Sequence, residues 1–411
     1  MSVAFAPPEH PTCSIVILAW RTTTELIECL ESLTRLVDAP PFEVVLVLNG
    51  ADAAVREIVA GEVRGATIVD LPANVGFGGG CNAGAAAARG EHLVFLNDDT
   101  VVDADWLRAL HSAAVATEAV GAVASLLLNP SGTVQESGSR VLASADTIQL
   151  GHGLTLDEAA EQGLLERRPV DYGSAAALLV PTPAFQAAAG FDPAYEPAYC
   201  EDVDLQFRLK AAGLAVVVEP SARVTHLSGA STAGDNTFRV WSFSHSVEFF
   251  RERWAAALAS APEEDAPVDA LCDVAVDDAR VSFGRTAPSL DEIRDSAETT
   301  ARSVAAGFTR WVTGHYEYEA GEHARLAALL QKTEQQRTTQ IRELSGHLAA
   351  HVNRVAELAD RVDALETEAV HLHNENDLLH HRLDDLDSRG PLGIVRWQAG
   401  LVVNRRRSGR S

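Results

Sequence analysis

A chain of 411 residues exceeds one ordinary core and predicts two or three units. A hydrophobic share of 46% with 22% charged residues is that of a folded protein and excludes a chain disordered throughout. A formal net charge of -25 argues against a general nucleic-acid binder and means that an anionic substrate must meet local cations, such as a bound metal.

Short apolar runs alternate with helical patterns at the start. Strands are expected at residues 14–18, 44–48, 67–71 and 93–96, with helices at 23–37, 51–60 and 79–89 between them. That alternation implies a mostly parallel sheet covered on both faces, whose ligands bind beyond the carboxyl ends of the strands. The chemistry is therefore expected near Trp20, Asn49, the stretch 74–84 and Asn97 to Asp99. Further strands are expected near 122–128, 175–180 and 214–218, with a helix from Glu201 to about Ala212. Residues 261–300 are acidic and Ala-rich with three prolines, which reads as a linker, although 289–302 suits a helix. From Ile341 apolar residues recur every seven, with Asn376 at an a position and Leu dominating d, the pattern of a parallel two-stranded coiled coil. Gly390–Pro391 ends it. The tail carries Trp397 and the basic run 405–407, which suits contact with an anionic membrane surface. The expected domains are 1–255, a linker at 256–318, a coiled coil at 319–388 and a tail at 389–411.

The five cysteines, Cys13, Cys29, Cys81, Cys200 and Cys272, have no C-x-x-C or zinc-finger spacing and read as free thiols of a reducing compartment. No basic segment followed by an apolar run opens the chain, and no stretch is apolar enough to span a bilayer. A cytoplasmic location is the expectation.

Three motifs carry chemistry. Asn97-Asp98-Asp99 follows a buried strand, where a carboxylate can hold a divalent ion against a diphosphate; the same residues also suit a helix start. Glu201-Asp202-Val203-Asp204 opens a helix and offers a general base, or acids that complement the helix dipole, with Asp204 and Arg208 spaced for an ion pair. The glycine-rich run 76–84 lets backbone approach a nucleotide, and loosely fits a dinucleotide fingerprint.

Taken in order and spacing, SIVILAW, NVGFGGGCNAG, FLNDDT, GFDPAYEPAYCEDVDLQFRL and VTHLSGAS resemble glycosyltransferase family 2, inverting enzymes of the GT-A fold, and especially its rhamnosyltransferase-like members, over about residues 13–254. The resemblance implies an α/β nucleotide-diphospho-sugar transferase fold. It implies Asp99 as metal ligand for Mn²⁺ or Mg²⁺, His226 completing that site and Asp202 as catalytic base. It implies donor contacts from Trp20, Asn49, Asn74, Gly76, Gly80, Asn82, Asn97 and Asp98, with Glu201 and Asp204 supporting the acceptor side. Arg21 stands where the family usually has Asn, and Leu48 where an Asp often reads the base, so the base stays open among thymidine, uridine and guanosine. The implied activity moves a sugar, such as rhamnose from its thymidine diphosphate, to a glycan or lipid-linked acceptor at the inner membrane face during envelope polysaccharide synthesis. A coiled-coil scaffold with an inactive domain and a dinucleotide-dependent oxidoreductase are the alternatives.

Overall fold

The computed structural model describes residues 2–227, 236–277 and 285–321, together with single helical positions between 354 and 381. Apart from these positions and the end of a helix at Gly321, the expected coiled coil over 319–388 and the tail over 389–411 lie outside the described residues, as does the end of the VTHLSGAS motif. The chain divides into compact units Met1–Gly314 and His315–Ser411, and the first contains the sheet and the expected site.

Ten strands form the main sheet: β1 (Cys13–Ala19), β2 (Phe42–Asn49), β3 (Thr67–Leu71), β4 (His92–Asn97), β5 (Thr100–Val102), β6 (Val120–Leu128), β7 (Val134–Glu136), β8 (Arg168–Pro169), β9 (Ala177–Pro181) and β10 (Ala215–His226). Their order is β8-β10-β6-β9-β4-β1-β2-β3, with β5 on β10 and β7 on β6. Strands β4, β1, β2 and β3 run parallel. Strand β9 enters antiparallel between β4 and β6, and β6 and β10 pair parallel beyond it, so the sheet is mixed.

Seven helices matter for the site: α1 (Thr24–Leu33), α2 (Ala53–Glu62), α3 (Gly76–Ala87), α4 (Trp106–Ala116), α5 (Glu201–Ala211), α6 (Asn236–Arg253) and α7 (Leu290–Gly321). Alternate residues of β1 and β2 serve opposite faces, as the strand period requires. Ile15, Ile17, Val44 and Leu46 join Leu26 and Leu30 of α1 and Leu107 of α4 in one core. Val16, Val45 and Val47 join Ala83 of α3, Leu205 of α5 and Ile293 of α7 in the other. With both faces covered, β1, β2 and β4 read as largely apolar runs.

Helix α3 contains the glycine-rich run that sequence alone assigns to a loop ahead of a helix starting at Gly79. Gly76 is its first residue, at φ +81°, where a side chain would strike Pro197 O. Further in, a Cβ on Gly80 would lie 2.6 Å from Leu18 Cδ2, and one on Gly84 2.3 Å from Val16 Cγ1. The glycines let the helix backbone lie against β1, and this packing overrides their low helix propensity.

The first unit runs to Gly314, beyond the expected boundary at 255, and several described residues of the expected linker contact its core. Arg140 donates to the carbonyls of Glu263, Glu264 and Pro267. Asp171 is buried and accepts from Cys272 N at 2.9 Å, Val141 N at 3.0 Å and Lys210 Nζ at 3.0 Å. Ile293 and Ala297 of α7 are buried.

Candidate active site

The turn after β4 and the tip of β10 meet although they are far apart in sequence. Strands β5 and β10 pair antiparallel with His226 opposite Thr100, and Leu227 N donates to Asp99 O at 3.0 Å. His226 Nε2 consequently lies 3.2 Å from Asp99 Oδ1 and 3.4 Å from Asn97 Nδ2. Its other nitrogen, Nδ1, lies 2.7 Å from Gln135 Oε1 on β7. The Gln135 amide nitrogen donates to His226 O and Asn129 Oδ1, so Oε1 is the acceptor and Nδ1 carries the hydrogen. In the neutral ring this leaves the Nε2 lone pair facing Asp99, the arrangement of a metal-ligating histidine held by its second nitrogen.

The donors fit a divalent ion shared with a substrate. Among the described residues no group of three or more His, Cys, Asp or Glu side chains is gathered to hold a metal. One carboxylate and one imidazole suit Mn²⁺ or Mg²⁺, whose shells substrate phosphates and water commonly complete. Asp98 turns away: Thr22 Oγ1 donates to Asp98 Oδ2, and burial pushes this carboxyl up to about 7 against that bond.

The second half of the site opens α5. Tyr199 and Cys200 have φ of 78° and 65°, a left-handed turn by two non-glycine residues of the kind that strained functional segments carry. Asp202 is half-buried; its Oδ1 accepts from Val203 N at 2.9 Å and its Oδ2 from Ala175 N at 3.2 Å. Burial raises its proton affinity, the direction a general base requires. Glu201 is 6% exposed, and Oε2 has no hydrogen-bond partner among the described residues. Burial, aided by Asp202, raises its carboxyl well above the ordinary range. The two acids are thus distinguished: Asp202 keeps access to the surface and Glu201 is sealed beneath α3.

The halves join at the entry to β9. Ala176 O accepts the N–H of Asn97, and the adjacent Ala175 donates to Asp202. One residue step therefore links the Asn97–Asp99 turn to Asp202. Sequence reasoning missed two residues here, Gln135 and Glu136. Glu136 is buried, accepts from Ser174 N at 2.8 Å and meets Gln149 Nε2 at 3.4 Å. Burial pushes it up to about 7, with Asp202 adding to the rise. The available signal was the polar pair Gln-Glu inside a strand-like Val-Gln-Glu run.

Other expected contacts are committed elsewhere. Asn49 holds the start of α3, donating to Gly76 O at 2.9 Å and accepting from Val75 N at 3.0 Å, while Asn74 accepts from Gly76 N at 2.8 Å. Asn82 exchanges two 2.9 Å hydrogen bonds with the Phe191 backbone. Gly76 and Gly80 serve packing, as described. The Asp204 carboxylate takes Arg208 at 2.7 Å, Arg253 and Trp254 at 2.9 Å and Tyr195 at 3.0 Å. It anchors α5 to α6 and has no surface to offer an acceptor. Trp20 follows β1 at its carboxyl end, with Arg21 Cζ stacked 3.9 Å from its ring centre.

The family profile for glycosyl transferase family 2 matches residues 14–162. An N-acetylglucosaminyl-diphospho-decaprenol L-rhamnosyltransferase of Mycobacterium tuberculosis is 30% identical over 246 residues, which cover 54% of this chain and 78% of that protein. The O-antigen biosynthesis protein RfbC of Myxococcus xanthus is 31% identical over 238 residues, 54% of this chain. The uncharacterized protein y4gI of Sinorhizobium fredii is 27% identical over 254 residues, 59% of this chain. The chain spans 28% of y4gI and 18% of RfbC. A crystal structure of GalNAc-T7 with UDP, GalNAc and Mn²⁺ superposes with a TM-score of 0.45 at 15% identity, covering 75% of this chain and 59% of that one. With the ordered motifs, the profile match and the Mycobacterium tuberculosis relative place the chain in glycosyltransferase family 2.

Proposed function

We propose that the chain transfers a sugar from a nucleoside-diphosphate donor to a hydroxyl of a glycan or lipid-linked acceptor, with inversion, in cell-envelope or surface polysaccharide synthesis. The observation that carries the reading is the junction at β9, where the Asn97–Asp99 turn and Asp202 are tied to adjacent residues. Asp99 and His226 would hold Mn²⁺ or Mg²⁺, which supplies Lewis-acid neutralisation of the leaving diphosphate, worth several kcal/mol as an order of magnitude. Gln135 fixes the histidine ring for that task. Asp202 takes the proton of the acceptor hydroxyl as it attacks the anomeric carbon from the face opposite the diphosphate. Such a base contributes roughly 10²–10⁴-fold in rate. Trp20 borders the nucleobase, with Arg21 stacked on it in place of the usual Asn. The relative named as an L-rhamnosyltransferase supports a rhamnose donor, and its diphospho-decaprenol acceptor supports a lipid-linked one at the inner membrane face. The heptads from Ile341 support a parallel homodimer, which light scattering on the full chain tests.

The test is release of nucleoside diphosphate from a panel of donors, with and without Mn²⁺. Metal-dependent release with one donor, lost in Asp99→Ala and reduced about 10²-fold or more in Asp202→Asn, is the expected result. Full activity in excess EDTA or in Asp99→Ala overturns the metal role. Full activity in Asp202→Asn overturns the base.

A further inference from the structure

A cleft of about 380 Å³ has no part in that mechanism. It opens between the first turns of α3, the start of α7 and the loop 193–197 that leads to α5. Its floor is buried: Val75 and Gly79 at the head of α3, Ile293 of α7, and Asn82 beside them. Asp99, Asp202 and His226 do not line it. Part of its wall comes from residues 286–300, well past the stretch that the family profile matches.

The polar groups of the cleft differ in what they can still offer. Asn82 is committed to the Phe191 backbone. Glu292 Oε2 accepts from Ser289 N at 2.8 Å and Ser289 Oγ at 2.7 Å, and Ser296 Oγ donates to Glu292 O at 2.8 Å. The Glu196 carboxyl is half-buried and has no hydrogen-bond partner among the described residues. It stands against α3, where a Cβ on Gly79 would come 3.4 Å from Glu196 Oε1. Burial pushes this carboxyl up to about 7, with Asp192 adding to the rise, so near neutrality it can donate as well as accept. The Thr286 and Thr300 hydroxyls also line the cleft and have no side-chain partner among the described residues. A desolvated acid without a partner is costly, and a ligand hydroxyl would satisfy it.

No lysine or arginine lines the cleft among the described residues, so a phosphate or nucleotide has no cation to meet there. Arg253 and Arg285 close instead on Asp192, at 3.0 and 2.7 Å. A neutral ring with hydroxyls on its edge and C–H groups on its faces matches the lining better. Its edge would meet Glu196 and the two threonines, and a face would lie on Val75, Pro288 and Ile293. The volume is at the small end of ligand pockets, which span about 300–1,000 Å³, and admits a short saccharide. We propose that this cleft is an accessory saccharide-binding site, separate from the reaction centre, that takes a neutral sugar unit of a glycan with Glu196 as its principal hydrogen-bonding group. The inference does not depend on the metal or the base assigned above.

Saturation-transfer NMR and calorimetry on the full chain in EDTA test this. The probes are the methyl glycosides of rhamnose, glucose, galactose and N-acetylglucosamine, and their disaccharides. At least one is expected to bind in the low-millimolar range, about what a ligand of roughly a dozen heavy atoms reaches at ordinary efficiency. Glu196→Ala should weaken that binding about tenfold, the order of a lost hydrogen bond to a carboxyl. Ser296→Trp, at an exposed position on the rim, should abolish it by filling the cleft, with circular dichroism showing both variants folded. If Ser296→Trp does not fold, Glu196→Ala carries the test alone. Asp99→Ala and Asp202→Asn should leave the binding unchanged. Absence of binding by every probe overturns the proposal, as does binding at full strength in the folded cleft variants. Binding lost in Asp202→Asn would put the saccharide at the reaction centre and overturn it too. In titrations without EDTA, Glu196-dependent uptake of Mg²⁺ or spermidine in place of any saccharide would make the cleft a cation site, the opposite of what is proposed.

Discussion

Gln135 and Glu136 are consecutive residues of one three-residue strand, and their side chains end on the two halves of the site: Gln135 Oε1 is 2.7 Å from His226 Nδ1, and Glu136 Oε1 takes the Ser174 amide beside Asp202. Successive residues of a strand point to opposite sides, which allows β7 to support both halves at once.

Removing the first support should weaken metal binding without touching a ligand. Gln135→Ala frees the His226 ring to rotate and to change tautomer. Outer partners of ligating histidines are worth about 10–100-fold in affinity. Manganese titration followed by electron paramagnetic resonance should show a loss of that size in the folded variant. Unchanged affinity would mean that His226 is held by Asp99 and Asn97 alone.

Glu201→Gln should do little harm. The carboxyl is buried with its proton affinity raised, and Oε2 has no partner among the described residues, so an amide of the same shape replaces it. Turnover is expected within about threefold of wild type, against about 10²-fold or more lost in Asp202→Asn. A larger loss in Glu201→Gln would move the base one residue towards the N-terminus.

Gly84→Ala should destabilise the chain through α3, far from any chemistry. The new methyl would sit 2.3 Å from Val16 Cγ1 and 3.0 Å from Val47 Cγ2, both on packed strands. Overpacking of this kind costs about 1–3 kcal/mol. A lowered denaturation midpoint with an unchanged m value is the expected result, and an unchanged midpoint would mean that the helix can lift off the sheet at no cost.

Stability should also fall as pH rises towards neutrality. Burial raises Asp98, Glu136 and Glu196 to about 7 in the folded chain, each above its ordinary value near 4. Below about pH 4 these acids are protonated in both states and their contribution is intact. Between about pH 4 and 7 the unfolded chain ionises them while the folded chain keeps its protons, so stability is lost across that window. Asp192 and Glu219 shift downward, with hydrogen bonds and arginines outweighing burial, and their effect falls below pH 4. In EDTA the melting temperature should be higher at pH 5 than at pH 7.5, and Glu196→Gln should flatten the slope. A melting temperature that climbs over the same range would contradict the assignment.

Strands β1, β2 and β4 were legible because burial on both faces leaves them as largely apolar runs, and the edge strand at 67–71 falls where expected although much of it is exposed. Helix α3 began three residues early because its glycines answer to the sheet beneath rather than to propensity. Helix α7 was read as a linker with a short helix at 289–302, yet it is 32 residues long; the buried positions Ile293 and Ala297 mark too thin an apolar stripe for a periodicity to show. In the site, Asp99, Asp202 and His226 were legible as members of ordered motifs. Gln135 and Glu136 were not, since their role comes from the register of β7 on β6 and from partners more than thirty residues away. Asn82 and Asp204 belong to the same motifs as the reactive groups, but they hold backbone and arginines; a motif records what must be kept, not why.

Asp171 has one further consequence. Its carboxylate closes Cys272, Lys210 and Val141 into a single clasp, so residues well past Trp254 are fastened to the back of the sheet. A chimera that borrows this transferase by cutting where family resemblance fades would strip a donor from a buried anion and bare the apolar side of α5. A graft or partner exchange that keeps this clasp intact has instead to carry the chain on towards the unit boundary at Gly314.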